Sequence, residues 1–126
     1  MGIKNNDDDD KKRILIIDDE VDITFTFKLG LEDSGLFTVD TSNDPHDMLF
    51  NFKPGMYDLL LMDIRMPKMS GYELYKEIRK IDAKIKVIFL TASPTFDKNY
   101  YIMKPIEITE LIKKINGILA PNLSQT

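Results

Sequence analysis

Five polar residues of this sequence stand in the first or second position after a short apolar run. They are Asp18, Asp19, Asp63, Thr91 and Lys104. Each one alone has an ordinary explanation, since an acid or a hydroxyl can simply cap the helix or turn that comes next. Together they bring carboxylates, a hydroxyl and an ammonium group to the ends of different apolar runs. A hydrophobic core does not require that arrangement.

The residue types favour phosphoryl chemistry. Carboxylates gathered at one place repel one another unless a cation neutralises them. The chain has no cysteine and a single histidine, His46, which we expect at the surface. The oxygen ligands therefore suit Mg²⁺, or Mn²⁺, rather than a softer metal. A carboxylate beside such a cation can attack a phosphoryl group, while lysine and threonine stabilise the transferring oxygens.

The apolar runs predict the elements that position these groups. Strands covered by helices on both faces of a parallel sheet are apolar at nearly every position. The runs span residues 14–17, 36–39, 59–62, 87–90 and 100–103. Apolar residues at helical spacing predict helices between them: Ile23, Phe27 and Leu31; Leu74, Ile78 and Ile81; and Ile108, Leu111, Ile115 and Leu119. The alternation predicts an α/β fold with a doubly wound, five-stranded parallel sheet. Ligands of such sheets bind beyond the carboxyl ends of the strands.

Two helix starts carry capping signals. Ser70 is followed three residues later by Glu73, which predicts a capping box. Asp44 followed by Pro45 predicts an N-cap with proline in the first turn.

Composition narrows the classes of function. The chain has 126 residues, a net charge of −4 and 30% charged residues, which fits one globular domain. The absence of cysteine excludes a disulfide framework. No apolar run approaches the roughly 20 residues that span a bilayer, and no secretion signal is visible. We therefore expect a cytoplasmic protein with no membrane partner. The acidic balance argues against direct binding of nucleic acid.

The charge pattern also predicts the limits of the domain. Residues 1–11 contain a run of four aspartates and should form a disordered acidic tail. Residues 12–120 should form the folded domain, and residues 121–126 a frayed C-terminus.

Over about residues 12–120, the sequence resembles the receiver domain of two-component response regulators, which has a flavodoxin-like fold. The resemblance rests on the acids at 18–20, the stretch Asp-Ile-Arg-Met-Pro-Lys-Met-Ser-Gly at 63–71, Thr-Ala at 91–92 and Lys-Pro at 104–105. The central stretch is the most specific of these motifs.

The resemblance implies roles for the site residues. Asp63 would be the phosphoacceptor, phosphorylated by the phosphohistidine of a sensor histidine kinase or a phosphotransfer protein. Asp19 and Asp63 would bind Mg²⁺ (or Mn²⁺) directly, together with the backbone carbonyl of Arg65. Asp18 would bind the metal mostly through water. Thr91 and Lys104 would hold the phosphoryl oxygens.

The resemblance also implies a switch and an output. Thr91 would move towards the phosphoryl group and Tyr101 would swing inward behind it, changing a surface that an unknown downstream protein reads. Arg65 and Ser93 occupy the two positions that tune dephosphorylation in this family. Such a domain is no enzyme beyond its own phosphorylation and dephosphorylation. The less favoured alternative for Tyr101 is an ordinary tyrosine packed at a strand end, with its hydroxyl in water.

One segment departs from the family pattern. Only nine residues, 92–100, lie between Thr91 and Tyr101, whereas a mean helix alone takes about 11–12 residues. We therefore expect the family's fourth helix to be shortened or missing. This leaves an alternative, a receiver-fold interaction module that no longer switches. A third reading, an aspartyl-phosphate phosphohydrolase, is disfavoured because Arg65 stands where its general acid would be.

Overall fold

Five strands form one parallel sheet in the computed structural model, which describes residues 11–91, the backbone of 101–103, and residues 106–120. The strands are β1 (Lys12–Ile17), β2 (Phe37–Ser42), β3 (Leu59–Asp63), β4 (Lys86–Thr91) and β5 (Tyr101–Met103). Their order across the sheet is β2-β1-β3-β4-β5, and each neighbouring pair is parallel. The predicted five-stranded parallel sheet is confirmed.

Helices cover both faces of this sheet. The described helices are α1 (Val21–Asp33), α2 (Pro45–Asn51), α3 (Gly71–Ile81) and α4 (Ile108–Leu119). Side chains of α1 and α4 share one core cluster with the sheet, and side chains of α2 and α3 share the other. The fold is therefore doubly wound, as the alternation of strands and helices predicted.

The alternation of side chains along β1 shows why its last four residues, Ile14 to Ile17, are all apolar. Ile14 and Ile16 pack in the core beneath α1 and α4, whereas Leu15 and Ile17 pack in the core beneath α2 and α3. Because each face of the strand meets a helix layer, neither face can be polar. After the buried run of β1, the next polar side chain, Asp18, comes where the strand leaves the sheet.

The predicted apolar face of α1 is only partly right. Leu31 is buried, but Ile23 and Phe27 are half-buried. Val21, Phe25 and Leu29, which also recur every fourth residue, are 61%, 58% and 53% exposed. The helix carries two apolar stripes, so spacing alone could not decide which one faces the core.

The edge strand β2 is covered by side chains of α1. Lys28 and Glu32 form an ion pair, with the ammonium nitrogen 3.3 Å from a carboxylate oxygen. The same two groups bond the backbone of Val39: its N–H donates to Glu32 at 3.2 Å, and its carbonyl accepts from Lys28 at 2.5 Å. The Lys28–Glu32 ion pair of α1 thus satisfies both polar backbone groups of Val39 in the edge strand.

Both predicted caps are confirmed. The Ser70 hydroxyl accepts from the Glu73 N–H at 3.1 Å and the Glu73 carboxylate accepts from the Ser70 N–H at 2.9 Å. The Asp44 carboxylate accepts from the backbone N–H groups of the first turn of α2. His46 is exposed there.

Some predictions concern segments outside the described residues. These include the acidic tail apart from Lys11, the C-terminal residues 121–126, and the segment 92–100. The shortened fourth helix of the family therefore stays a prediction. Among the described residues, no helix has the length and apolar character needed to cross a membrane.

Candidate functional site

Three aspartates meet at the carboxyl end of the sheet. Asp18 follows β1 and Asp63 ends β3, and the two strands are hydrogen-bonded neighbours in which Ile17 pairs with Met62. One carboxylate oxygen from each of Asp18, Asp19 and Asp63 lies within 4.8 Å of the other two. Asp18 is fully buried and Asp63 is 8% exposed, whereas Asp19 is exposed. The predicted convergence of these acids is found in the structure.

The aspartate cluster concentrates negative charge where water is scarce. Carboxylates at this distance raise one another's energy, and burial removes the water that would screen them. Backbone donors offset a part of this cost, since the Glu20 N–H donates to Asp18 at 2.9 Å and the Arg65 N–H to Asp63 at 3.4 Å. Neutral amides cannot cancel a charge of this size, so the arrangement suits a divalent cation with oxygen ligands.

Thr91 lies beside this cluster. Asp63 is in register with Leu90 on the neighbouring strand β4, and Thr91 is the next residue of that strand, 5% exposed. A buried hydroxyl-bearing side chain therefore ends the strand next to the one that ends in Asp63. Thr91 is also in register with Met103 of β5.

The other predicted site residues are only partly described. Lys104 and Ser93 lie outside the described residues. Tyr101 begins β5, and only its backbone is described. Arg65 is exposed in the segment that follows Asp63. The structure therefore brings the carboxylates of Asp18, Asp19 and Asp63 together and places Thr91 at the end of the strand next to that of Asp63.

A glycine holds the segment after β3 close to the phosphoacceptor candidate. The Gly71 N–H donates to the Ile64 carbonyl at 2.8 Å, and the Ile64 N–H donates to Leu90 at 3.2 Å. A Cβ atom on Gly71 would lie 2.5 Å from the Asp63 carbonyl oxygen and 3.0 Å from the Ile64 Cα. Only glycine allows this close approach, which explains why the stretch at 63–71 ends in glycine.

The loop between β2 and α2 also reaches the site, and sequence reasoning missed this. The Asp18 N–H donates to the Ser42 carbonyl at 3.1 Å, and the Asn43 side chain donates to the Asp18 carbonyl at 2.7 Å. Ser42 and Asn43 stand in an ordinary polar stretch, so nothing in their types or spacing marked them. Only the parallel pairing of β1 with β2 brings them to Asp18.

An ion pair joins this loop to the segment after Asp63. The Lys68 ammonium lies 2.9 Å from the Asp44 carboxylate. The hydrogen bond from Lys68, followed by the bond from the Asp47 N–H, lowers the pKa of the Asp44 carboxyl below its ordinary value of 3.8. The two loops on either side of the acids are therefore tied to each other.

Replacing Gly71 by alanine should lower the free energy of unfolding, by about 1–3 kcal/mol, because the new methyl group forces the backbone of residues 63–64 to move. Urea unfolding measures the effect. Gly117→Ala in α4 is the matched control: its Cβ would meet nothing within 4 Å, so it should raise stability by about 0.5–1 kcal/mol. Equal effects of the two substitutions would contradict the close approach.

The Asp44–Lys68 pair should make stability depend on pH in acid. Because the folded-state pKa of Asp44 lies below 3.8, its ionised form stabilises the fold above that value, and this stabilisation is lost as the pH falls through the folded-state pKa. Lys68→Met should lower the urea midpoint at about pH 6, and its difference from the wild type should shrink as the pH falls below 3.8. The control is Lys76→Met, at an exposed lysine of α3. A deficit of Lys68→Met that persists in acid would rule out the ion pair as its cause.

Comparisons with known proteins agree with this geometry. A sequence model described as the response regulator receiver domain matches residues 14–116. The transcriptional regulatory protein DltR of Streptococcus agalactiae is 38% identical over 107 residues, covering 78% of this chain and 47% of DltR. The chain spans about half the length of the curated relatives it matches.

Solved structures show the same architecture. The response regulator protein TrrA from Thermotoga maritima, crystallised with Mg(2+)-BeF, superposes with a TM-score of 0.72 at 35% identity, covering 86% of this chain and 99% of TrrA. A complex of the histidine kinase ThkA with TrrA contains a chain that superposes with a TM-score of 0.74, at the same identity and coverage.

Proposed function

Because this chain belongs to the response regulator receiver family, we propose that residues 12–120 form a receiver domain in which Asp63 accepts a phosphoryl group from a phosphohistidine. The donor is a sensor histidine kinase or a phosphotransfer protein, and the transfer depends on Mg²⁺. The observation that carries the proposal is the aspartate cluster, with ligand oxygens within 4.8 Å of one another and two of its three members buried.

The donor set fits Mg²⁺. Asp19 and Asp63 would ligate the ion directly, together with the backbone carbonyl of Arg65, and Asp18 would act through water. All of these donors are oxygens, which Mg²⁺ and Mn²⁺ prefer over nitrogen and sulfur. When bound, the ion supplies positive charge to the cluster and to the phosphoryl oxygens. The crystallisation of the relative TrrA with Mg(2+)-BeF supports this assignment.

Each side chain of the site has its own role in the transfer of the phosphoryl group. An oxygen of Asp63 forms a bond to phosphorus while the bond from phosphorus to the donor's imidazole nitrogen breaks, and the imidazole takes up a proton as it leaves. The hydroxyl of Thr91 donates a hydrogen bond to one phosphoryl oxygen, and the ammonium of Lys104 pairs with another. Arg65 and Ser93 tune the access of the water that later removes the phosphoryl group.

The switch follows from the new charge. A phosphoryl group adds about −1.5 to −2 charges and three acceptor oxygens at neutral pH. The oxygens of the phosphoryl group attract the Thr91 hydroxyl and the Lys104 ammonium, so the phosphorylated state favours a different position of Thr91. Tyr101 moves inward behind it and changes the surface that a downstream protein reads.

The proposal is tested by intact-protein mass spectrometry after incubation with Mg²⁺ and acetyl phosphate. The wild type should gain one phosphoryl group, and Asp63→Asn should gain none. Asp33→Asn, at an exposed acid in the last turn of α1, should be labelled like the wild type. A wild type that takes up no phosphoryl group would favour the non-switching interaction module. Rapid multiple turnover of phosphate esters would favour the phosphohydrolase.

The metal site makes a separate prediction about stability. An ion that binds the folded state alone stabilises it by RT ln(1 + [L]/Kd), so millimolar Mg²⁺ should raise the melting temperature. Asp19→Ala should remove most of this increase without lowering the melting temperature in EDTA, because Asp19 is exposed. Asp22→Ala, three residues further along, should keep the increase. A wild-type melting curve that Mg²⁺ leaves unchanged would refute the site.

A further inference from the structure

Asn43 bridges the acidic turn and the first turn of α1. Its amide nitrogen donates to the Asp18 carbonyl at 2.7 Å and to the Thr24 hydroxyl oxygen at 3.0 Å. A side-chain amide has two N–H donors, so both are used. The two acceptors lie on either side of the turn that carries Asp19 out of β1 and into α1. One side chain from the β2–α2 loop thus spans that turn.

The burial and the orientation of the Thr24 hydroxyl suit it to accept this hydrogen bond. Its side chain is 2% exposed, although its neighbours in α1, Ile23 and Phe25, are half-buried and exposed. The Thr24 hydroxyl donates its hydrogen to the Val21 carbonyl at 3.0 Å, so its lone pairs face the Asn43 amide. The Thr24 hydroxyl therefore joins two groups: it donates to the Val21 carbonyl in the first turn of α1 and accepts from the Asn43 amide.

The bonds on Asp18 leave its turn little freedom. The Asp18 N–H and carbonyl are held by Ser42 and Asn43, and its carboxylate is held by the Glu20 N–H. Asp19 lies between these anchored residues and is exposed. The Asp19 carboxylate stays close to those of Asp18 and Asp63 only if the backbone of Asp18 and Glu20 keeps this conformation.

We propose that Asn43 is a positioning residue of the metal site: by fixing the backbone of Asp18 against α1, it holds Asp18 and Asp19 where they bind Mg²⁺ together with Asp63. This inference rests on the proposed function. Partners outside the ligand shell commonly change metal affinity by about 10–100-fold. Asn43 touches the backbone of a ligand rather than its carboxylate, so we expect the lower end, about tenfold.

The next residue of the same loop supports this role. Asp44 pairs with Lys68 at 2.9 Å, and Lys68 belongs to the segment that follows Asp63. The β2–α2 loop therefore contacts the backbone of Asp18 through Asn43 and the side chain of Lys68 through Asp44. A loop that carries none of the proposed metal ligands thus joins the segments that carry them.

The test is the dissociation constant for Mg²⁺, obtained from amide chemical shifts in ¹H–¹⁵N spectra during titration with MgCl₂. Asn43→Ala should raise it about tenfold. Thr24→Val, which keeps the shape of the side chain and removes the hydroxyl, should raise it in the same direction, and Thr24→Ser should stay close to the wild type. Asn51→Ala is the matched control, since Asn51 is exposed and its side-chain amide donates to the Asp47 carbonyl within α2.

The outcomes separate this inference from the proposed function. A wild type that binds no Mg²⁺ refutes the proposed function and the role of Asn43 with it. A wild type that binds Mg²⁺, with Asn43→Ala or Thr24→Val binding it equally well, refutes the role of Asn43 alone. A purely structural role predicts a lower melting temperature in EDTA and an unchanged dissociation constant well below that temperature. If Asn43→Ala does not fold, the comparison of Thr24→Val with Thr24→Ser decides.

Discussion

The repulsion among Asp18, Asp19 and Asp63 is the constraint on which the rest of the structure depends. Two of these carboxylates are buried, so water does little to screen them, and the folded chain must hold them together against their mutual repulsion. The strands achieve this from below, because β1 and β3 are neighbours in a sheet buried on both faces. The loops add hydrogen bonds to the backbone of Asp18 and backbone N–H donors to the carboxylates of Asp18 and Asp63.

This division explains why the neighbouring loops look as they do. Gly71 lets α3 begin against the backbone of Asp63, and its absence of a side chain is what permits the contact. Asn43 bonds the carbonyl of Asp18 and spares its carboxylate. In both places the chain is held by groups that neither add charge to the cluster nor compete for its oxygens. A lysine or arginine at either position would bring a charge of its own.

The fold and the acidic half of the site could be predicted from the sequence, because both follow from strands buried on two faces. A continuous apolar run that ends in a polar residue indicates where a strand ends, and parallel pairing brings those ends to one edge. Asn43 could not be predicted, since its role depends on the register of β2 with β1 rather than on its own type. The exposed stripe of α1 was missed because the helix has two apolar faces. The roles of Lys104, Ser93 and Tyr101 stay predictions, since their side chains lie outside the described residues.

The Lys28–Glu32 pair of α1 has a consequence for how copies of this protein meet. The sheet ends at β2, and an edge strand normally offers free N–H and C=O groups that can pair with a strand of another molecule. At Val39 both groups are already bonded to the helix. In the middle of β2, α1 thus takes the place of a further strand. A neighbouring chain would have to displace the Lys28–Glu32 pair before it could extend the sheet at Val39, so the edge of the sheet is guarded at its centre by a side-chain ion pair.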